Sequence, residues 1–343
     1  MKKPRLIIES HVPCVPDALG EYFDIERLAP EDITPVAVAG ADAMIVRTRT
    51  RCDAALLSGS SVRFIATATI GTDHIDRQWC ESHGVTVVSA PGCNAPAVAQ
   101  YVLASLLSLF PEGLEGKTLG VVGVGHVGSI VADWARQLGM KVLTNDPPRA
   151  VREADFDNTP LQDLISEADI ITFHVPHTVA GAYPTHHIAD ASMFSRMRDG
   201  AVVVNSARGP IVETEALIAA LESGKISHAV IDCWEGEPEI SQRLLELATV
   251  ATPHIAGYSL NGKIRATMMV VNALCEFFGV GYRMTSDIPA GAVACVSAEA
   301  VRRSYNPLTD TGLLREGVGK SDFAAHFERL RNKYALRPEV GQE

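Results

Sequence analysis

The chain has 343 residues, which is room for about two domains at roughly 150 residues each. Hydrophobic residues make up 47% and charged residues 21%, so there is apolar material for sizeable cores and no compositional sign of disorder. Thirty Lys and Arg against 41 Asp and Glu leave a net charge of -11, which argues against a general binder of nucleic acid or anionic membrane. An anionic ligand must then be met by a local cluster of basic side chains.

At the start, Met1-Lys2-Lys3-Pro4-Arg5 is followed by only Leu6-Ile7-Ile8 before Glu9, too short an apolar run for an export signal. Strands are expected at 5–8, 43–46, 63–66 and 86–88. Arg47, Arg49 and Arg51 alternate at the end of the second of these, so on a continued strand all three share one face. The stretch 84–111 is uncharged, but Pro91, Gly92, Asn94 and Pro96 break it. Its helical part, 95–110, is short of the ~20 residues of a bilayer span. A polar turn at 113–117 precedes a second series, with strands expected at 118–122, 141–144, 169–173, 201–205, 228–231 and 250–252. Helices fit between them, the clearest at 126–138 and 213–223, and this alternation predicts an α/β protein with parallel sheets and crossover helices. After Pro253 one amphipathic helix is expected at 260–278. The remainder carries Pro289-Ala290-Gly291, Pro307 and a basic final helix at 323–334. The seven cysteines are scattered, odd in number and without a CxxC pair, which predicts free thiols in a reducing cytoplasm.

Gly123-Val124-Gly125-His126-Val127-Gly128 follows an apolar strand and opens a helix, and Asp146 ends the next strand, 18 residues past Gly128. That context makes it a dinucleotide-binding turn. Gly123 permits the tight bend, Gly125 admits the pyrophosphate, and Gly128 lets helix and strand pack closely. Free N–H groups at the helix N-terminus meet the pyrophosphate. Asp146 would accept hydrogen bonds from the adenosine ribose and repel a 2′-phosphate, favouring NAD, although Arg149 stands nearby. Three more segments follow expected strands: Asn205-Ser206-Ala207-Arg208-Gly209, Asp232-Cys233-Trp234-Glu235-Gly236-Glu237-Pro238 and Thr252-Pro253-His254-Ile255-Ala256-Gly257. The C-terminal ends of parallel strands line a single crevice, so an Arg, a Glu and a His reach its rim. Arg grips a carboxylate with a planar fork, His exchanges a proton near neutral pH, and a carboxylate beside that His stabilises its charged form. His174, His177, His186 and His187 lack a Cys and any zinc-type spacing, so a cofactor-side loop is expected there and no metal.

Together these segments resemble the D-2-hydroxyacid dehydrogenase family over nearly all of residues 1–280. The resemblance implies a Rossmann-type doubly wound cofactor domain at 96–256. It also implies a discontinuous flavodoxin-like substrate domain, 1–95 with a return helix at 257–281. It assigns Arg208 to the substrate carboxylate, His254 to acid/base work, Glu237 as partner of that His, and Asp232 to the nicotinamide amide. It further places His126, Val127, Val175, Ser206, Ala207 and Gly257 against NAD, and Thr69 and Tyr258 against substrate.

Several stretches are similar to one branch of that family: Ala68–Asp76, Pro91–Asn94, Asp146–Arg149 and especially His254–Lys263. That branch acts on 4-phospho-D-erythronate in the pathway to pyridoxal 5′-phosphate. The expectation is therefore NAD-dependent oxidation of a small phosphorylated 2-hydroxy acid, with Arg47 and Thr48 at the phosphate end. Tyr258 and Lys263, read as one helical turn apart, are the second choice there. The alternatives are a dehydrogenase for phosphoglycerate or glycerate, or an NAD-sensing scaffold like the corepressors that share this fold. The segment 282–343 is similar to the branch's C-terminal dimerisation domain, clearest at Phe327–Tyr334. It is expected to be a shortened α+β piece that the two-domain core does not need. Its apolar positions in 293–301 and 323–334 would then be buried by a second copy, giving a homodimer.

Overall fold

Parallel pairing runs through every strand of the structure, a computed structural model that describes residues 2–288 and 291–341. Pro289 and Ala290 of the expected Pro-Ala-Gly turn lie outside the described residues. The chain divides into two compact units: Met1–Asn94 with Leu260–Gly291, and Ala95–Ser259 with Ala292–Glu343.

In the first unit, β1 (Arg5–Glu9), β2 (Asp24–Leu28), β3 (Ala43–Val46), β4 (Phe64–Thr67) and β5 (Thr86–Val88) form a five-stranded sheet in the order β2-β1-β3-β4-β5. This is the flavodoxin-like order. Successive residues go to opposite faces, as strand geometry requires. Leu6, Ile8, Ile45, Phe64 and Ala66 enter one apolar cluster, while Ile7, Met44, Val46 and Ile65 enter another. The helix Leu260–Phe277 covers the first cluster through Ala266, Val270, Val271 and Leu274, so the return helix belongs to this unit. β2 was not foreseen. Its sequence, Asp-Ile-Glu-Arg-Leu, is charge-rich because it is an edge strand, half-buried and tied to β1 by an Arg5–Glu26 ion pair at 2.6 Å.

The second unit holds β6 (Thr118–Val122), β7 (Lys141–Asn145), β8 (Ile170–Phe173), β9 (Ala201–Asn205), β10 (Ile226–Ile231) and β11 (Val250–Ala251) in the order β11-β10-β9-β8-β6-β7. The order reverses between β6 and β8, the switch point at which dinucleotides bind in such sheets. Residues 157–159 lie along the open edge of β7, where Thr159 N–H donates to the Thr144 carbonyl at 2.7 Å. The helix Ala95–Leu109 is buried from Ala95 to Leu107, which explains its apolar character all round: it is a core helix.

The C-terminal segment departs from expectation. Its described residues hold three helices, Ala298–Ser304, Pro307–Arg315 and Phe323–Asn332, and no strand, and they belong to the second unit. Val301, Leu314 and Phe327 are each 0% exposed, the first in one core cluster of that unit and the other two in the second. Burying each such side chain is worth about 1.5–3 kcal/mol. The apolar positions that were expected to need a second copy are thus satisfied within the chain, and the segment is part of the cofactor unit's core.

Candidate active site

The dinucleotide turn is built by close backbone approach. Gly123 has φ +87°, and a Cβ there would lie 2.8 Å from the His174 carbonyl and 2.7 Å from Val175, on the loop after β8. A Cβ on Gly128 would lie 2.0 Å from the Gly123 carbonyl oxygen, so only glycine lets the helix His126–Gln137 pack where it does. Gly125 is different: a Cβ would meet nothing within 4 Å, which leaves its backbone open to a ligand. Asp146, at the end of β7, accepts the Val124 N–H at 2.8 Å and the Arg149 N–H at 2.9 Å. Arg149 is turned away from any 2′-phosphate role. Its Nη1 donates to the Val124 carbonyl at 2.8 Å and the Ser129 hydroxyl at 3.2 Å, while Nε donates to Glu153 at 2.8 Å. Ser206 Oγ is buried without a hydrogen-bond partner among the described residues. The open Gly125 backbone and the unmatched Ser206 hydroxyl supply donors for the pyrophosphate side, and the Asp146 carboxylate supplies the acceptor for ribose hydroxyls, so these residues fit NAD.

Three loops at the ends of β9, β10 and β11 bring the catalytic candidates together in this same unit. A Cβ on Gly209 would lie 1.9 Å from the Trp234 carbonyl oxygen, so the Arg208 loop rests backbone to backbone on the loop carrying Glu237. Arg208 Nη1 donates to the Ala207 carbonyl at 2.8 Å. Glu237 takes the Trp234 N–H at 2.7 Å on one oxygen, and its other oxygen lies 2.8 Å from His254 Nδ1. His254 has φ +55°, a conformation disfavoured for a side chain of its size. Asp232 is 1% exposed and holds the loop after it: its carboxylate accepts the Thr252 hydroxyl at 2.7 Å and the N–H groups of Ile255 and Ala256 at 2.8 and 3.0 Å.

Burial disfavours the charged ring of His254, yet the Glu237 carboxylate beside it outweighs this and holds its pKa well above the usual imidazole value. Burial raises the Glu237 carboxyl, but the His254 ring opposes it more strongly and the net direction is down. Burial pushes the Cys233 thiol up, which keeps it protonated. No sequence pattern marks Cys233 as part of this site. Its sulfur, one oxygen of Glu237 and one nitrogen of His254 lie within 4.8 Å of one another. The histidines of the loop after β8 make contacts of their own. His177 pairs with His186 at 3.1 Å, His186 stacks on His187 at 4.0 Å, and His187 lies 2.6 Å from Glu235.

The phosphate-end reading changes in the first unit. β3 stops at Val46, so Arg47, Arg49 and Arg51 do not share a strand face. The chain turns because the buried Glu9 carboxylate accepts both the Arg47 N–H at 2.8 Å and the Thr50 hydroxyl at 2.7 Å. Arg51 pairs instead with Asp53 at 2.7 Å. Thr48 is exposed, and the Thr69 hydroxyl lies 2.7 Å from that of Thr67. Lys263, on the first turn of Leu260–Phe277, has its pKa lowered to about 8 by burial and by Arg47. Tyr258 precedes that helix and so is not a turn away from Lys263 along it.

Fold and site together define an NAD-dependent dehydrogenase of a CH–OH group. Residues 103–256 match the family described as D-isomer specific 2-hydroxyacid dehydrogenase, NAD binding domain, and the chain belongs to this family. Its relatives over nearly the whole length are erythronate-4-phosphate dehydrogenases. The protein of that name from Bacteroides fragilis is 46% identical, covering 98% of this chain and 97% of its own, and that of Salinibacter ruber is 40% identical, covering 100% and 94%. The expected shortening is not seen against the first of these. The D-lactate dehydrogenase of Aquifex aeolicus, solved with NAD and lactic acid, is 26% identical with a TM-score of 0.65, covering 80% of this chain and 95% of its own.

Proposed function

We propose that the chain oxidises 4-phospho-D-erythronate at its C2 hydroxyl to 2-oxo-3-hydroxy-4-phosphobutanoate, a step toward pyridoxal 5′-phosphate. The observation that carries this reading is the His254–Glu237 contact at 2.8 Å beside the Arg208 loop, at the strand ends of an NAD-binding sheet. The cofactor is held by Gly123, Gly125, His126, Val127, Gly128, Asp146, Val175, Ser206, Ala207, Asp232 and Gly257. When bound, NAD supplies the acceptor for the hydrogen on C2.

Arg208 grips the substrate carboxylate through its planar fork. His254 donates Nδ1–H to Glu237, which leaves the Nε2 lone pair to take the proton of the C2 hydroxyl. The imidazolium that forms is stabilised by the Glu237 charge. Arg47 and Thr48 meet the phosphate, with Thr69 and Tyr258 as further substrate contacts and Lys263 adding charge. A phosphate dianion favours the charged form of Lys263, whose pKa of about 8 otherwise places it near half-protonation in mildly alkaline solution.

The enzyme works in the cytoplasm, a reading supported by seven free cysteines. It is a homodimer through the C-terminal segment, where Leu308 and Leu313 are 46% and 40% exposed on the helix Pro307–Arg315. His254→Ala tests the acid/base assignment. Turnover should fall roughly 10²–10⁴-fold with NAD affinity nearly intact, and near-normal turnover would falsify it.

A further inference from the structure

We infer that Arg337 is a positioning residue for His254, which makes the C-terminal tail a working part of the active site. The inference rests on His254 being the proton acceptor.

Arg337 is 7% exposed, and its guanidinium is spread over carbonyls of the catalytic loop and of the helix Ala95–Leu109. Nη1 donates to the Ile255 carbonyl at 3.1 Å and the Tyr258 carbonyl at 3.3 Å, and Nη2 donates to the Ala256 carbonyl and, at 3.2 Å, to that of Ala97. Nε reaches Gln100 Oε1 at 3.2 Å, so the fork is tied to the core helix Ala95–Leu109 as well. The tail beside it repeats the grip, with a bridge between Ser259 and Arg337 and the Ser259 hydroxyl donating to Glu339 at 2.7 Å.

The loop is therefore held from both edges of its peptide planes. Asp232, an anion, takes the N–H groups of Ile255 and Ala256, while Arg337, a cation, takes the carbonyls of the same two residues. His254 stands immediately before them at φ +55°. A non-glycine residue stays in that conformation only where its surroundings over-determine it. Asp232 fixes the peptide plane joining Ile255 to Ala256, whose carbonyl also accepts the Tyr258 N–H at 2.8 Å, but the Ala256 carbonyl belongs to the next plane, and there Arg337 completes the constraint that aims the imidazole. Only a planar fork with five donors serves this many acceptors at once; lysine cannot.

The test uses the full-length chain as wild type, Arg337→Ala, Arg337→Lys and Leu314→Ala. Leu314 is 0% exposed in the same C-terminal segment, so its truncation loosens the tail's packing without removing a bond to the loop. NADH formation with erythronate 4-phosphate, NAD affinity and thermal unfolding are measured on each. Both Arg337 variants should lose roughly 10–10²-fold in kcat, the cost of a misplaced catalytic group, with NAD affinity within about twofold. Added guanidinium should restore part of the kcat of Arg337→Ala. Leu314→Ala should lose thermal stability and keep kcat within about twofold. Wild-type kcat in Arg337→Ala overturns the inference, as does an equal kcat loss in Leu314→Ala or the absence of guanidinium rescue. A wild-type chain inactive on every hydroxy acid would instead overturn the functional reading, and this inference with it.

Discussion

In the proposed reaction Glu237 acts through the charge it keeps 2.8 Å from His254 Nδ1. That charge holds the His254 pKa above the usual imidazole value against the effect of burial. Oxidation needs neutral His254, so its acidic limb should lie above the ordinary imidazole range and activity should rise as pH rises through it. Glu237→Gln removes the negative neighbour and lowers the His254 pKa. The acidic limb of the pH–rate profile for oxidation should then move to lower pH, with reduced turnover because the imidazolium loses its partner. A limb at the wild-type pH would show that the two side chains do not interact. At this scale the sequence was most informative where chemistry and backbone coincide: Arg208, Glu237 and His254 each follow a strand end. It was least informative where a side chain acts at long range. Arg337 meets carbonyls about 80 residues earlier, and nothing local to Leu336-Arg337-Pro338 marks that task.

Among the elements, the unit formed by β6, the glycine turn and the helix His126–Gln137 is held by close backbone approach. The would-be Cβ of Gly128 falls 2.0 Å from a backbone oxygen rather than a flexible side chain, so the helix must move to admit it. Gly128→Ala should cost about 1–3 kcal/mol of stability and weaken NAD binding at least about tenfold, read by thermal unfolding and by titration with NAD. Unchanged NAD affinity would remove the turn from the cofactor site. This element was legible because glycine spacing records close approach directly. The end of β3 was not. Its arginine alternation mimics a continued strand, and the turn is imposed by Glu9, a buried carboxylate on β1 that accepts from both Arg47 and Thr50. β2 was hidden for a related reason: an edge strand that is only half-buried keeps its charges and loses the apolar alternation that marks a strand.

For the molecule as a whole, the C-terminal segment has one task the structure shows and one, dimerisation, that is proposed. It completes the core of the cofactor unit through Val301, Leu314, Phe323 and Phe327, and it still exposes Leu308 and Leu313. Removing the segment would open that core, so the dimer is best tested on the intact chain. Light scattering across micromolar concentrations should give the mass of two chains, and Leu308→Glu with Leu313→Glu should shift it toward one. A monomer at every concentration would contradict the dimer.

Substrate choice is read directly by NADH formation by the purified protein with erythronate 4-phosphate, erythronate, 3-phosphoglycerate and glycerate, side by side. Net charge -11 makes a phosphorylated acid an unwelcome ligand unless dedicated cations receive it, and Arg208, Arg47 and Lys263 are the cations proposed for that task. A charge-assisted contact to phosphate contributes a few kcal/mol at most, so kcat/KM for erythronate 4-phosphate should exceed that for the unphosphorylated acid by roughly 10–10³-fold. It should also exceed that for 3-phosphoglycerate. Equal or higher kcat/KM with 3-phosphoglycerate or glycerate would contradict the account.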